Sequence, residues 1–257
     1  MVLDFTIKNG VATIKFNRPD KFNSFNQELA FAVQKALDDC HSDPLVRVVV
    51  LTGEGKAFCA GQDLAEATDP QGPPLKSIVG KHYNPIIEKI RNTEKPIIAA
   101  VNGVAAGAGA NIALACDIVI AAESAKFIQA FSAIGLIPDS GGTYFLPRLV
   151  GAQKALALMM TGDRIEAVEA EKMNMIYKAV PDSEFGEFVA NFAGKMAQMP
   201  TKGLVLTKKA VNESFNNTLT EQLALEEELQ TIAGQTYDFK EGTAAFLEKR
   251  KPDFKGE

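Results

Sequence analysis

The sequence is poor in the residues on which metal binding and nucleophilic catalysis most often depend. Its 257 residues include only two histidines and three cysteines, and no two cysteines stand in a C-x-x-C spacing. An odd set of cysteines without that spacing predicts neither a disulfide framework nor a zinc ribbon, and it is typical of a cytoplasmic protein. His41 and His82 have no Ser-x-Gly nucleophile elbow or second ligand beside them, so we interpret both as surface or packing residues. We therefore expect no metal site and no catalytic triad.

Basic residues are also in deficit. The 27 lysines and arginines against 32 acidic residues give a formal net charge of −5 at pH 7. Nucleic acids and anionic membranes require a basic field, so neither is expected as a partner, and only a local basic patch remains open. The apolar share of 46% and the charged share of 23% are ordinary for a soluble globular protein and exclude disorder and a collagen-like chain.

A hydrophobic run of transmembrane length is missing as well. Pro96–Cys116 carries no charge and contains Gly103-x-x-x-Gly107, a spacing found in packed membrane helices. Its asparagines and glycines argue against a span, and Ile97–Val101 favours a short buried strand. At the N-terminus, Asp4 interrupts the apolar run that a signal peptide would need. We therefore expect a protein of the cytoplasm that does not enter the membrane.

Strand and helix patterns alternate through the first two-thirds of the chain. Asn9-Gly10 predicts a hairpin turn, and the spacing of Ser24 and Gln27 is that of a capping box at the start of a helix. The largely β-branched run Val46–Thr52 predicts a central strand, with the hairpin at the edge of the sheet. This alternation predicts an α/β fold with helices packed against a sheet. The expected strands are 2–8, 11–16, 46–52, 97–101 and 118–121, and the expected helices are 24–43, 75–91 and one that ends at 115.

Strand signals almost disappear from Ala152 onward, and the remaining periodicity is helical. No short repeat indicates a solenoid. The expected helices are 152–160, 184–199, 202–215, 219–235 and 240–249.

Glycine-rich turns follow two of the predicted buried strands, where open α/β folds bind ligands. Neither Gly53-Glu54-Gly55-Lys56 nor Gly103–Gly109 has the spacing of a nucleotide-binding loop. Gly107-Ala108-Gly109 opens a helix, so its free N–H groups face whatever binds there, although close packing would also explain the glycines. A second N–H donor from the turn Ala60–Asp63 would complete an oxyanion hole. Cys59 beside this turn is interpreted as a small buried residue, because no base accompanies it.

An ordered series of motifs resembles the enoyl-CoA hydratase/isomerase (crotonase) family. Together these motifs extend the resemblance to nearly the whole chain. They are Asn17-Arg18-Pro19, Lys56–Leu64 (KAFCAGQDL), Ala100–Gly109 (AVNGVAAGAG), Cys116-Asp117, Gly135–Gly142 (GLIPDSGG), Leu146-Pro147-Arg148, Thr161-Gly162-Asp163 and Phe246–Pro252 (FLEKRKP).

The resemblance implies a crotonase-like α/β spiral of ββα units over residues 1–195, which carries an acyl-CoA site. It implies a C-terminal helical region over residues 196–257 that mediates trimerisation, usually within a dimer of trimers. It also implies that coenzyme A arrives as part of the substrate, so no separate cofactor is expected. The implied ligand contacts are the backbone N–H groups of Gln62 and Ala108 at the thioester oxygen, Ala60, Asp63, Leu64, Arg18 and Lys21 along coenzyme A, and Gly107, Asn111 and Phe131 in the substrate pocket.

The acid/base residues decide which activity of the family is implied. The positions of the two hydratase glutamates are occupied here by Asn111 and Phe131, so an ordinary hydratase is not expected. Isomerases of the family place one carboxylate at the position of Asp139. Among Phe131, Ile134 and Leu136, this carboxylate is expected to have a raised pKa and to shuttle a proton. From the residues alone, without the resemblance, a helix N-cap is the favoured interpretation of Asp139.

The closest resemblance within the family is to ring-expanding isomerases of aerobic phenylacetate degradation. It implies conversion of a ring-1,2-epoxide acyl-CoA to the oxepin thioester, with other enzymes of that pathway as possible partners. A delta-3,delta-2-enoyl-CoA isomerase or an atypical enoyl-CoA hydratase of fatty-acid metabolism is the alternative among enzymes. A scaffold subunit that binds CoA thioesters without turnover is the alternative outside enzymes.

Overall fold

Ten strands form two sheets in the computed structural model, which describes residues 1–257. The large sheet has the order β1-β2-β3-β5-β7-β10 and is parallel except for the β1–β2 hairpin. The small sheet has the order β4-β6-β8-β9, in which only β9 runs antiparallel. The strands are β1 Leu3–Lys8, β2 Val11–Phe16, β3 Val48–Gly53, β4 Ala57–Cys59, β5 Ile97–Val101, β6 Val104–Ala106, β7 Ile118–Ala122, β8 Lys126–Ile128, β9 Arg164–Glu166 and β10 Lys178–Val180.

Twelve α-helices surround the sheets, and a π-helical turn, Ile78–Tyr83, joins the third to the fourth. The last three helices form the C-terminal region. The helices are α1 Gln27–Ser42, α2 Leu64–Ala67, α3 Leu75–Ser77, α4 Asn84–Asn92, α5 Ala108–Ala115, α6 Gly142–Val150, α7 Ala152–Thr161, α8 Ala167–Lys172, α9 Asp182–Ala197, α10 Thr201–Ser214, α11 Leu219–Gly234 and α12 Tyr237–Glu248.

A ββα unit repeats three times along the chain. Each unit has one strand in the large sheet, the next strand in the small sheet, and then helix: β3 and β4 precede α2, β5 and β6 precede α5, and β7 and β8 precede α6. The predicted crotonase-like spiral of ββα units is therefore confirmed. The hairpin lies at the edge of the large sheet and β3 lies inside it, as predicted.

The main core lies where α1 and α5 pack on the sheets and α4 packs on both of these helices. All eight residues of α5 are buried, which explains why this segment carries no charge. Ile97–Val101 is a buried strand with the predicted bounds. None of the helices combines the length and the apolar character that crossing a membrane would require.

The predicted capping box at Ser24 is wrong. Helix α1 begins after Asn26, whose side chain accepts a hydrogen bond of 3.0 Å from the Leu29 N–H. Phe25 is extended because it pairs with Gln62 in a parallel bridge. This long-range pairing holds the backbone near Ser24 out of the helix, and no local spacing rule anticipates it.

The C-terminal region begins with α10, which an ionic network holds against the core. Lys208 Nζ of α10 lies 2.9 Å from Asp117 Oδ2, and Arg91 lies 3.4 Å from the other oxygen of Asp117. Lys208 also donates to the carbonyl oxygens of Ile90 and Thr93. The expected division between residues 195 and 196 stays a prediction. It falls in the last turn of α9, which ends at Ala197, and α10 begins at Thr201.

Candidate active site

Two glycine turns meet where the adjacent parallel strands β4 and β6 end. Gly61 follows β4 with φ +95°, and Gly107 follows β6 with φ +53° and ψ −127°. Both conformations favour glycine, because a side chain there would clash with the backbone. A Cβ placed on Gly61 would lie 3.0 Å from the Ala106 carbonyl oxygen and 3.6 Å from the Ala108 nitrogen. The structure thus brings together the two turns that the sequence singled out.

Each turn presents an unpaired backbone N–H group. On one side of Gln62, the Gly61 carbonyl oxygen accepts a bond of 2.7 Å from the Phe25 N–H, and on the other side the Asp63 N–H donates to the Phe25 carbonyl oxygen at 2.8 Å. The Gln62 N–H between them donates to no protein acceptor. Ala108 is the first residue of α5, so its N–H has no acceptor within the helix. Two free donors on touching turns, one of them at a helix N-terminus, can stabilise a negatively charged oxygen.

Close packing explains a different glycine of the second turn. A Cβ on Gly109 would lie 2.3 Å from the Cys59 carbonyl oxygen and 2.7 Å from its Sγ. Gly109 therefore lets α5 lie directly on β4, whereas Gly107 supplies the turn conformation. Burial raises the pKa of the Cys59 thiol to about 12, which keeps it protonated and unreactive at neutral pH.

Asp139 lies in the turn that precedes α6 and does not cap that helix. The N-cap is Gly141, and no side chain caps the helix. The Asp139 carboxylate instead accepts a hydrogen bond of 2.9 Å from Ser140 Oγ. Burial raises the pKa of Asp139, and the Ser140 bond opposes that rise. The helix-cap interpretation is therefore wrong, and the carboxylate has capacity left for a ligand.

The apolar surroundings expected for Asp139 are only partly present in the structure. Phe131 is buried, and its ring lies 3.8 Å from where a Cβ on Gly107 would stand. Ile134 and Leu136 are exposed, because a 3₁₀ turn at Ser132–Ile134 carries them to the surface.

Asn111 is fully buried and bonds to protein groups. Its Nδ2 donates to the Asp139 carbonyl oxygen at 2.8 Å, and its Oδ1 accepts from Gln129 Nε2 at 2.8 Å. A residue expected to line the substrate pocket is therefore engaged with the turn that carries Asp139.

The residues expected along coenzyme A cluster around the Ala60–Leu64 segment. Arg18 lies 2.8 Å from Asp63 Oδ2, with both side chains largely buried, and Asp63 also caps α2. Burial acts to raise the pKa of Asp63, but the bonds from Arg18 and the Ala65 N–H hold it below its ordinary value. The Arg18 guanidinium is thus committed to Asp63, while Lys21 and Leu64 remain exposed.

Tyr83 is a site residue that the sequence did not reveal. It is fully buried on the π-helical turn, and its hydroxyl donates to Gln62 Oε1 at 2.8 Å. Gln62 Nε2 in turn donates to Glu66 Oε2 at 3.0 Å. Burial raises the pKa of Tyr83, and the nearby charge of Asp139 adds to the rise. A π turn shifts the helical periodicity, so no spacing pattern would have pointed Tyr83 at the Ala60–Asp63 turn.

Neither histidine belongs to this arrangement of turns. His82 is buried with its ring edge-on to Phe31, at a centroid distance of 5.4 Å, and His41 is exposed near the end of α1. Both match the interpretation as surface or packing residues.

Comparison with known proteins gives consistent similarity over the chain. A family model described as enoyl-CoA hydratase/isomerase matches residues 6–257. The 1,2-epoxyphenylacetyl-CoA isomerase of Escherichia coli (strain K12) is 46% identical over 253 residues, which cover 97% of this chain and 97% of the relative. The mitochondrial enoyl-CoA hydratase of Pongo abelii is 38% identical, covering 96% of this chain and 84% of the relative. A solved enoyl-CoA hydratase from Bacillus anthracis superimposes with a TM-score of 0.93 at 35% identity, and both chains are covered over 100% of their length.

Proposed function

The chain belongs to the enoyl-CoA hydratase/isomerase family, and from that premise we propose that it is an acyl-CoA isomerase with Asp139 as its single proton shuttle. The observation that carries the proposal is the Asp139 carboxylate, which is partly buried and caps no helix. Asn111 and Phe131 stand where the resemblance places the hydratase glutamates, and neither side chain can act as a general base. Proton transfer to and from carbon is therefore favoured over addition of water.

The two backbone N–H groups would hold the substrate's thioester oxygen. As a proton leaves the carbon next to the carbonyl, negative charge develops on that oxygen, and the Gln62 and Ala108 donors stabilise the enolate. Asp139 takes the proton as a carboxylate and returns it to a carbon further along the chain, which shifts the double bond. No water, redox partner or further cofactor enters the balance, because every atom of the substrate is kept.

The substrate that we propose is ring-1,2-epoxyphenylacetyl-CoA, converted to the oxepin thioester. In that conversion the ring carbon–carbon bond bridged by the epoxide oxygen opens, and its electron pair enters the double bonds of the seven-membered ring. Asp139 moves one proton from the carbon next to the thioester to a ring carbon, so every atom is kept. It is supported by the 46% identity to the E. coli isomerase of that name and by the A-G-Q-D-L and G-L-I-P-D-S-G-G segments. The alternative substrate is a linear 3-enoyl thioester, which the same acid/base cycle would isomerise. Because some relatives are named as hydratases, hydration of an enoyl thioester is the other alternative activity. The assignment makes phenylacetate-pathway enzymes the expected partners and the cytoplasm the expected compartment.

The test is turnover of both thioesters by the wild type and by Asp139→Asn. We expect the variant to stay folded and to lose about 10²- to 10⁴-fold in kcat, because general acid/base catalysis contributes that much. Asp38→Asn is the matched control, since Asp38 is an exposed acid on α1, and it should keep full activity. Near-normal turnover by folded Asp139→Asn would refute the mechanism. Binding without turnover of any thioester by the wild type would favour the scaffold alternative.

The C-terminal region is proposed to assemble the chain into a trimer or a dimer of trimers. Large apolar side chains that a monomer would leave in water support this proposal, with Phe246 at 83% exposure and Leu247 at 80%. Light scattering of the full chain in solution distinguishes a trimer from a hexamer, and a monomer would contradict both.

A further inference from the structure

A buried pair of carboxamides supports the turn that carries Asp139. Asn111 is 0% exposed and Gln129 is 2% exposed. Gln129 Nε2 donates to Asn111 Oδ1, and Asn111 Nδ2 donates to the Asp139 carbonyl oxygen, each at 2.8 Å. Asn111 belongs to α5, which also presents the Ala108 N–H. One rigid helix therefore supports both the proposed oxyanion donor and the proposed proton shuttle.

The supported turn has an unfavourable backbone conformation. Ser140 and Gly141 both have positive φ, at +52° and +73°, and the turn is closed by a 2.9 Å bond from the Gly142 N–H to the Asp139 carbonyl oxygen. A serine in the left-handed region persists only when its surroundings hold it there. The Asp139 carbonyl oxygen accepts a second bond, from Asn111, and this bond is long-range. The carboxamide thus supplies a long-range hydrogen bond that holds the turn.

The orientation of both amides follows from that carbonyl oxygen. A carbonyl can only accept, so Asn111 must present its Nδ2 to Asp139 and its Oδ1 to Gln129. Gln129 must then present its Nε2, which leaves Gln129 Oε1 buried without a hydrogen-bond partner. An unpaired buried acceptor costs stability. The bond from Asn111 Nδ2 to the Asp139 carbonyl oxygen is therefore kept although Gln129 Oε1 is left unpaired.

Close packing fixes the position of the Asn111 carboxamide as well. A Cβ on Gly142 would lie 2.3 Å from Asn111 Nδ2. Only glycine at this position lets the start of α6 rest on the carboxamide.

We propose that Asn111, oriented by Gln129, is a positioning residue that fixes the Asp139 turn relative to α5 and thereby places the carboxylate against the substrate carbon. This inference rests on the proposed role of Asp139. It differs from a role in contacting substrate, because both Asn111 polar atoms bond to protein groups. A displacement of about 1 Å in a reacting group can lower the rate about a hundredfold.

The test compares Asn111→Ala and Gln129→Leu with the wild type in kcat, KM, the pH dependence of kcat/KM, and melting temperature. We expect Asn111→Ala to lower kcat about a hundredfold and to leave KM within about threefold. The acid limb of its pH profile should move to lower pH, because a released Asp139 turn gains access to water. Gln129→Leu should change kcat and the acid limb in the same directions by smaller amounts, and it decides the question if Asn111→Ala does not fold.

Asn102→Ala is the matched control. Asn102 is also a carboxamide that ties loops together, through the Gly53 N–H and the Gly55 carbonyl oxygen, away from the Asp139 turn. It should lower the melting temperature and leave kcat and the acid limb unchanged. If Asn111→Ala and Gln129→Leu behaved like this control, the inference would be wrong.

A direct titration separates this inference from the proposed function. If the wild type turned over neither thioester, the proposed function would fail, but ¹³C NMR of the Asp139 carboxyl could still be recorded, with Asp139→Asn used to assign the signal. A lower Asp139 pKa in Asn111→Ala than in the wild type supports the positioning role. An unchanged pKa in Asn111→Ala overturns it.

Discussion

Burial and a single hydrogen bond act on Asp139 in opposite directions. Burial raises the pKa of the carboxyl, and the Ser140 hydroxyl lowers it. Because the folded-state pKa lies above the unfolded one, the contribution of Asp139 to stability is complete only below the ordinary carboxyl pKa. It is lost as the pH rises through the folded-state pKa. Once ionised, the carboxylate therefore lowers the free energy of unfolding, which is expected of a group kept for the catalytic role proposed for it.

Replacing Ser140 by alanine tests the second of these effects. Ser140→Ala removes the donor that stabilises the carboxylate, so the pKa of Asp139 should rise further. The acid limb of the kcat/KM profile should then move to higher pH, with the plateau rate reduced less than in Asp139→Asn. Alanine leaves the positive φ of residue 140 in place, so a change in turn geometry is kept small. A profile identical to that of the wild type would show that the Ser140 bond has no influence on the titrating group.

At the scale of elements, sequence patterns predicted the helices and strands whose bounds are set by their own residues. Ile97–Val101 is an apolar run short enough to be a strand, and the helix that ends at Ala115 is bounded by Gly107. The small sheet escaped prediction because its strands have three residues each, too few to display a period of two. The start of α1 was misplaced because pairing between Phe25 and Gln62 overrides the local capping signal.

The corrected start of α1 makes a measurable prediction. Asn26→Ala should lower the free energy of unfolding by about 1 kcal/mol, because the Leu29 N–H loses its side-chain acceptor. Ser24→Ala is the control and should cost less, since the Ser24 side chain caps nothing. Urea denaturation of both variants measures the difference. A larger loss in Ser24→Ala than in Asn26→Ala would restore the capping box.

At the scale of the whole molecule, the sequence located the candidate site better than it described the contacts within it. The glycine turns and the Asp139 segment were recognisable because their residues are contiguous. The Arg18–Asp63 pair joins residues 45 positions apart, and the Tyr83–Gln62 bond joins residues 21 positions apart. The bond from Asn111 to the Asp139 carbonyl oxygen joins residues 28 positions apart. Contacts of this kind depend on how the three ββα units stack, which no local pattern specifies. The same is true of the network that attaches α10 to the core.

Breaking that network should destabilise the protein more than breaking an exposed ion pair would. Asp117→Asn leaves the largely buried Lys208 ammonium without its carboxylate, and burial already holds the pKa of Lys208 below its ordinary value. We expect a loss of about 3–5 kcal/mol in the free energy of unfolding. Adding Lys208→Met to Asp117→Asn should recover part of that loss, because the unpaired charge is removed while most of the side-chain volume is kept.

Urea denaturation of the two single variants and the double variant gives the coupling energy between Asp117 and Lys208. Lys35→Met, which breaks an exposed pair with Asp39 on α1, should cost less than about 1 kcal/mol. Simple additivity of Asp117→Asn and Lys208→Met would mean that the two charges do not stabilise each other. The attachment of α10 would then rest on apolar packing and on the lysine's bonds to backbone carbonyls. A strong coupling instead makes this ion pair one of the bonds that hold α10 on the core, beside those that Arg47 donates to Thr201 and to the Met199 carbonyl oxygen.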